Sequence, residues 1–457
     1  MGTGRPAPAE APFSRPGEDI EPPPGGRFVP SDGFRRGARR TFALFADLVL
    51  RLRYDIRVSG REHYAEGVPT LLVANHRSDA DGPIVAAVML RRQGVACRGD
   101  VPFFVAREDL FARGFLAQYV PAAPAFLRPV LGRLCLAPFL ELMRVRPMRR
   151  VAERTLGEVL AQVREIAGDV PLAEILKASQ LARYERLAAP NPVPATVGEA
   201  LAQRYRALNQ ERLGLLKLRR EMFQRLARSD REVIARQVGA FVALLEAGKT
   251  VFLAPEGVLS PHGCPMRSKA GLHLLLTRAR VDVHLVPVGL TYDFMTTGRP
   301  AVFVRFGREL SSLEGCGVEA LDERVHRAIA AQYTATATQI ASVWLRARLH
   351  AGENRLEPSA LRDGVMQAAL DLACAGLPVD GRLLDPRAAH ARIAECLGYC
   401  RRVGLLDSRE GRLRFARWPA QTACAALDHA CNELAAFVPE SLGILERLRF
   451  VDRAGLT

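Results

Sequence analysis

The sequence predicts an α/β fold: a largely parallel central sheet flanked by helices, extended by a helical insertion and a mostly helical C-terminal domain. Three observations lead there. Between residues 54 and 307, short apolar runs alternate with longer stretches of helical spacing, the pattern of strands joined by crossover helices. The runs Leu71-Leu72-Val73-Ala74 and Val251-Phe252-Leu253-Ala254 each end in polar, turn-forming residues that carry titratable side chains. Beyond residue 311 the strand-like runs largely stop, and residues 321–350, 356–376, 387–404 and 420–448 place apolar residues at helical spacing.

Taken in order, residues 1–40 are expected to be a disordered tail, rich in Pro and Gly with few apolar anchors. Its end carries Arg35, Arg36, Arg39 and Arg40, just before an amphipathic stretch over 41–50. Such a helix suits an anionic bilayer; it equally suits packing over the domain with its arginines in water. The α/β domain spans 41–310, with strands expected at 54–58, 70–74, 101–106, 250–254, 283–289 and 301–306, the fifth interrupted by Pro287. Over about 155–230, Leu, Ala, Arg and Glu dominate around a Pro-rich break at 188–194, which predicts an inserted helical hairpin. The C-terminal domain covers 311–457, with a short strand pair near 404–406 and 412–415.

At 457 residues the chain can bury more than one core. Its net charge of +15 calls for an acidic partner: an anionic membrane surface, a phosphate-bearing substrate, CoA or nucleic acid. Aromatic content of 7% and the lack of zinc spacing or an aromatic-and-basic strand motif argue against nucleic acid and against a metal. Nine scattered cysteines, an odd number with no Cys-x2-Cys pair, suit reduced thiols in the cytoplasm. No run of about 20 unbroken apolar residues is present. The nearest, 115–143, carries Arg128, Arg133, Glu141 and several prolines, so it reads as buried or surface-inserting. The expected location is cytoplasmic, peripheral on the cytoplasmic face of the membrane.

The chemistry concentrates at the end of the first strong run, where Asn75-His76-Arg77-Ser78-Asp79-Ala80-Asp81 follows Ala74. An imidazole and a carboxylate at this spacing suit acyl transfer to a hydroxyl. His76 takes the proton from the attacking oxygen, and Asp81 fixes the ring tautomer and stabilises the imidazolium. No Ser or Cys nucleophile is needed when the acceptor alcohol itself attacks. On spacing alone, Asp81 can equally be a helix cap and His76 an ordinary loop residue. The second run ends in Pro255-Glu256-Gly257, followed by Ser260, Arg267 and Lys269. A third element reads His284-Leu285-Val286-Pro287-Val288-Gly289-Leu290-Thr291-Tyr292-Asp293.

In this order the three elements resemble the glycerolipid (phospholipid/glycerol) acyltransferase family, whose blocks read Asn-His-x4-Asp, Pro-Glu-Gly and Val-Pro-Val. The resemblance covers roughly residues 45–310. It implies transfer of a fatty acyl group from acyl-CoA or acyl carrier protein to a hydroxyl of a glycerol-phosphate or lysophospholipid acceptor, with no cofactor beyond that co-substrate. His76 and Asp81 would then be catalytic, while Glu256 and Gly257 would belong to the acceptor site. The oxyanion would be met by amides near Gly257 or in the helix after Asp81. A further family block places an arginine after a strand, best matched by 141–147; Arg144 and Arg146 alternate there, so one of them faces the cleft, and Arg146 is favoured. The family's arginine after Pro-Glu-Gly is replaced by Leu259, so Arg267 or Lys269 would have to hold an acceptor phosphate, or the acceptor carries none at that place. The departure leaves open a different lipid or metabolite alcohol, and also a non-catalytic lipid-binding protein on the same fold.

Overall fold

The structure is a computed structural model that describes residues 32–91, 101–112, 115, 128–150, 154–189, 191–209, 211, 218–260, 262–310, 316–353, 355–409, 412–416 and 421–449. Among the described residues nine strands are formed, at Asp55–Ser59 (β1), Thr70–Ala74 (β2), Phe103–Arg107 (β3), Val145–Met148 (β4), Thr250–Leu253 (β5), His284–Asp293 (β6), Ala301–Phe306 (β7), Leu406–Arg409 (β8) and Arg412–Phe415 (β9). The first seven make one sheet in the order β1-β7-β6-β2-β5-β3-β4, and β8 pairs β9 antiparallel. Strands β6, β2, β5, β3 and β4 run parallel, whereas β7 lies antiparallel to β6 and carries β1 parallel to itself.

Thirteen helices serve the description: Asp32–Arg53 (α1), Asp81–Leu90 (α2), Arg128–Arg133 (α3), Ala137–Leu142 (α4), Leu156–Ala167 (α5), Arg220–Glu246 (α6), Gly271–Arg278 (α7), Val318–Ala330 (α8), Ala337–His350 (α9), Pro358–Cys374 (α10), Pro386–Arg402 (α11), Gln421–Ala435 (α12) and Ile444–Arg449 (α13). Strand β2, Thr-Leu-Leu-Val-Ala, is buried along its whole length, as an unbroken apolar run at the centre of a parallel sheet should be. Its alternate side chains feed two cores. Leu72 and Ala74 pack with Ile84, Val85, Val88 and Met89 of α2. Leu71 and Val73 pack with Phe241 and Leu245 of α6, Leu272 and Leu275 of α7, and Val325 and Ile329 of α8. The result is an α/β fold with helices on both faces of a mostly parallel sheet.

Of the tail expected over 1–40, residues 1–31 lie outside the described residues and 32–40 are already helical in α1. The stretch 116–127 within the apolar run 115–143 also lies outside them. Pro287 does not interrupt β6, contrary to expectation. Its carbonyl accepts from the Gly307 N–H at 2.8 Å, so its missing N–H falls on the same side of the strand. There the β6–β7 ladder begins only one residue later, at Val288 opposite Phe306, and no ladder bond is lost.

The insertion is a small module with its own core, not a two-helix hairpin. Helix α5 opens on a Thr155–Glu158 capping box and closes at Gly168 (φ +81°), where a left-handed residue costs least. Short helices at Leu172–Ile175, Ala178–Ala188 and Val197–Ala200 follow, the last capped by Thr196. Prolines and new caps restart the chain every few residues, so no long antiparallel pair can form. Leu160, Val163, Ile175, Tyr184 and Val197 pack there against Met222 and Leu226 of α6. The same helix continues into the sheet core with Val238, Phe241 and Leu245. Between the two cores Asp230 is buried and receives Arg154 at 2.8 Å and Gln162 at 2.8 Å.

The C-terminal region builds a further apolar core from α9 to α13, with Trp344, Leu361, Leu372, Ile393, Leu427 and Leu434 inside. It is bolted to the end of β6 by charge. Asp293 accepts from Arg392 Nε and Nη2, both at 2.6 Å, and from Arg382 at 3.1 Å. Thr338, at the start of α9, adds its backbone N–H and hydroxyl to the same carboxylate.

Candidate active site

The loop between β2 and α2 is fixed from both sides before its side chains are considered. Asn75 exchanges two hydrogen bonds of 2.8 Å with the backbone of Leu290, which ties the end of β2 to β6. Ser260 N–H donates to the His76 carbonyl at 3.0 Å, tying the same loop to the segment after β5. The helix then begins at Asp81, whose carboxylate lies 1% exposed beneath the loop.

Four donors converge on that carboxylate. Oδ2 accepts from the backbone N–H groups of Arg77 (2.6 Å) and Ser78 (2.9 Å) and lies 3.0 Å from His76 Nδ1. Oδ1 accepts from the Tyr292 hydroxyl at 2.5 Å. An ionised carboxylate is an acceptor only, so Nδ1 must carry the ring proton and Nε2 is left as the basic nitrogen. The imidazole itself is a quarter exposed, accessible to solvent while its partner is buried. Burial first, then the charge of Asp81, push the Tyr292 hydroxyl well above its ordinary range, so it remains a donor throughout neutral pH.

Glu256 sits in the turn after β5, the strand next to β2. Gly257 takes φ +68°, a left-handed position that favours glycine, and its N–H closes the turn onto Ala254 O at 3.0 Å. That N–H is therefore already committed. The Glu256 side chain is 3% exposed with Oε2 unpartnered among the described residues. Burial raises its carboxyl above the usual range, against the pull of Arg77, the Met266 backbone N–H, His326 and His76. Its electrostatic partners thus include the proposed base, and both residues lie past the ends of neighbouring parallel strands.

Sequence-predicted binding residues fall into two groups. Lys269 stays with the site: its N–H donates to Pro255 O at 2.8 Å, and its Cγ lies where a Cβ on Gly257 would come within 3.3 Å. Arg267 is 85% exposed and reaches Glu319 at 3.7 Å across a cleft of about 380 Å³ that is also lined by Ser268, Lys269 and His273. Arg144 and Arg146 are elsewhere. Both belong to the β4 edge, three strand spacings or about 14 Å from β2. Arg144 precedes β4 with φ +62°, donates to Val101 O at 2.6 Å and stacks over Phe103. It therefore lies where β3 and β4 begin, at the opposite end of the sheet from His76. Arg146 is level with Val73 but turns back over Phe103, its pKa lowered by burial and by Arg144 against the pull of Glu141.

Two contributors carry no motif in the sequence. Tyr292 was readable in principle, since it alternates with Val288 and Leu290 and so follows them to the end of β6 beside β2. The second is the destination of Arg77. Its side chain is 4% exposed and runs away from Asp81 into the C-terminal region, with Nε 3.0 Å from Glu433 Oε1 of α12. Nothing in the pattern around residue 433 signals that pairing.

No protein-family model matches the chain, and no curated protein matches it. Among solved structures, it is similar to the 1-acyl-sn-glycerophosphate acyltransferase PlsC of Thermotoga maritima. The identity is 15% over 64% of this chain and 76% of that one, with a TM-score of 0.29. The functional reading therefore rests on the site itself.

Proposed function

We propose that the chain is an O-acyltransferase that moves a fatty acyl group from an acyl thioester, CoA or acyl carrier protein, to a hydroxyl of a glycerolipid-type acceptor. The observation that carries this reading is the His76–Asp81 pair: a part-exposed imidazole whose Nδ1–H is held by a buried, four-donor carboxylate. Nε2 removes the proton from the acceptor hydroxyl as its oxygen attacks the thioester carbonyl. The tetrahedral intermediate collapses with release of the thiol, to which the imidazolium returns the proton. The Gly257 N–H is spent within its turn, and in the first turn of α2 the Asp81 and Ile84 N–H groups donate to Ser78 and Ala80 while Pro83 has none, which leaves the Gly82 N–H as the candidate donor to the oxyanion. The free Oε2 of Glu256 would accept from an acceptor hydroxyl. Lys269 is the cation best placed for a phosphate on that acceptor; without an arginine at position 259, an uncharged acceptor alcohol is the second reading.

The same proposal places the protein on a membrane surface. Helix α1 buries Asp47 against Arg91 at 2.5 Å and Arg51 at 3.0 Å, while Phe45, Leu48, Val49 and Leu52 are exposed. Phe42 stacks edge-on against Phe139 of α4 at 4.5 Å, and Val130 and Leu134 of the neighbouring segment are also exposed. No helix among the described residues is long and apolar enough to cross a bilayer. Shallow insertion beside a basic surface would bring the site to lipid acceptors.

The test is thiol release from acyl-CoA or acyl carrier protein, measured with purified protein against glycerol-3-phosphate, lysophosphatidate and neutral alcohols. His76→Ala is expected to cost about 10²–10⁴-fold in turnover. A folded His76→Ala protein with native turnover would sink the base assignment. Loss of transfer for every acceptor in the native protein would favour lipid binding without catalysis.

A further inference from the structure

Helix α12 touches both loops that frame the site. Its Asn432 donates to His262 O at 2.8 Å, in the segment after β5. In the same segment Gly263, at φ +75°, lies so close that a Cβ there would collide with the His429 carbonyl. One residue along from Asn432, Glu433 meets the side chain of Arg77, which follows the proposed base directly. The Arg77 guanidinium also contacts Gly263 O at 3.2 Å and the Tyr333 hydroxyl at 3.3 Å, and it lies 5.3 Å over the Tyr333 ring. Glu433 is held in turn by Gln339 Nε2 at 2.9 Å, at the first turn of α9.

We infer that α12 is a positioning element of the acyl-transfer site, with Glu433 holding Arg77 so that the loop carrying His76 keeps its seat on Asp81. The inference rests on the acyl-transfer reading above, but its geometry stands apart from it. Arg77 is pulled in two directions from one Cα. Its backbone N–H donates to Asp81 at 2.6 Å while its side chain is anchored in the C-terminal region. Residue 77 thus spans the gap between the two, and the orientation of His76 depends on both anchors. Burial works against the guanidinium charge, and Glu433, Tyr333 and Glu256 more than offset it, so the cation is held above its ordinary pKa and stays in place. Without α12 that buried cation would lose Glu433, the largest of its counter-charges.

The experiment uses the full-length chain with Glu433→Gln, which keeps an oxygen for Gln339 and removes the charge. Two quantities are read: amide hydrogen exchange at Arg77 and Ser78, the donors to Asp81, and kcat against KM for the acyl thioester. Exchange at those two amides is expected to rise on the order of tenfold while β1 amides keep native rates. Turnover is expected to fall by up to about 10²-fold with KM nearly unchanged, as for a misplaced catalytic group. Should Glu433→Gln not fold, Asn432→Ala is the milder variant, with a smaller fall in kcat and faster exchange at 262–264. Asp371→Asn, which breaks a surface pair with Arg447, serves as the control that moves neither quantity. Native exchange at Arg77 and Ser78 in a folded Glu433→Gln protein would overturn the inference, as would native kcat. If the native protein transfers no acyl group, the acyl-transfer reading fails, and the exchange measurement still decides whether α12 holds the loop.

Discussion

Asp81 and Asp293 are both 1% exposed, and they meet at consecutive positions of β6, Tyr292 donating to Asp81 and Asp293 being the next residue, yet they are solvated by opposite means. Asp293 is neutralised by two guanidinium groups, those of Arg392 and Arg382, with Thr338 filling the remaining lone pairs. Burial would raise its carboxyl, but Arg392, Thr338 and Arg382 prevail and hold it below the ordinary range. Among the described residues Asp81 takes its hydrogen bonds from two backbone N–H groups, a tyrosine hydroxyl and an imidazole, not from an arginine side chain. A carboxylate satisfied by permanent cations is a rivet, since none of its partners can give up a proton. One satisfied by neutral donors keeps its negative charge available for an imidazolium that forms only during reaction. The alternation of β6 separates the two: Tyr292 faces the site and Asp293 faces the C-terminal core.

The sharpest break of this comparison is to make the same substitution at both places. Asp81→Asn is expected to lower turnover by about 10³–10⁴-fold through the wrong imidazole tautomer, with a thermal midpoint close to native. Asp293→Asn should do the reverse, costing about 3–5 kcal/mol of stability in denaturant titration because it strands Arg392. Per-molecule turnover of the fraction still folded should remain near native. If Asp81→Asn unfolds the chain while Asp293→Asn leaves it intact, the division of roles is wrong.

Tyr292→Phe comes next in size. It removes one hydrogen bond to a charged group, about 1.5–3 kcal/mol, from the buried side of Asp81. Turnover should fall by roughly tenfold, well short of Asp81→Asn, since the His76 contact remains. An effect as large as that of His76→Ala would mean that the tyrosine itself transfers a proton.

The smallest effect concerns Glu256 and pH. Burial holds its carboxyl above the ordinary 4.5, so between that value and its folded pKa the native state keeps a proton that the unfolded chain has released. Stability from this group is therefore complete below 4.5 and is lost as pH rises through the folded value. Glu256→Gln should accordingly gain in thermal midpoint over native protein as pH is raised from 4 to 8. A gain that shrinks with rising pH would refute the direction of the shift. Acyl transfer by the same variant should weaken through KM for the acceptor.

Much of the fold could be read because it is written in unbroken apolar runs. Leu71 to Ala74 and Val251 to Leu253 are buried on both faces, and such runs leave little room for any element but a central strand. His76, Asp81 and Glu256 followed, because loops after neighbouring parallel strands open on the same edge of the sheet. What escaped depends on partners distant in sequence. Glu433 lies on a helix whose pattern would look the same with a solvent-facing glutamate, and only the packing of α12 against Arg77 gives it a role. The motif points to Arg144 and Arg146, but position in the sheet decides what a side chain sits beside, and β4 is the edge strand three places from β2. Pro287 suggests a break because sequence does not say on which side of a strand the ladder is absent. Composition predicts a hairpin for the insertion because it reports helicity and not where prolines and caps restart the chain.

Helix α6 also sets a rule for how this chain can vary. It is 27 residues long and passes without a break from the core of the inserted module into the core beneath the sheet. At 3.6 residues per turn, deleting or adding a single residue between Leu226 and Val238 would turn the outer module by about 100° about the helix axis and shift it by about 1.5 Å. A change before residue 230 would turn Asp230 away from Arg154 and Gln162. The module behaves as a key cut on the same shaft as the lock: its shape can drift freely, but its angular setting changes only in whole turns.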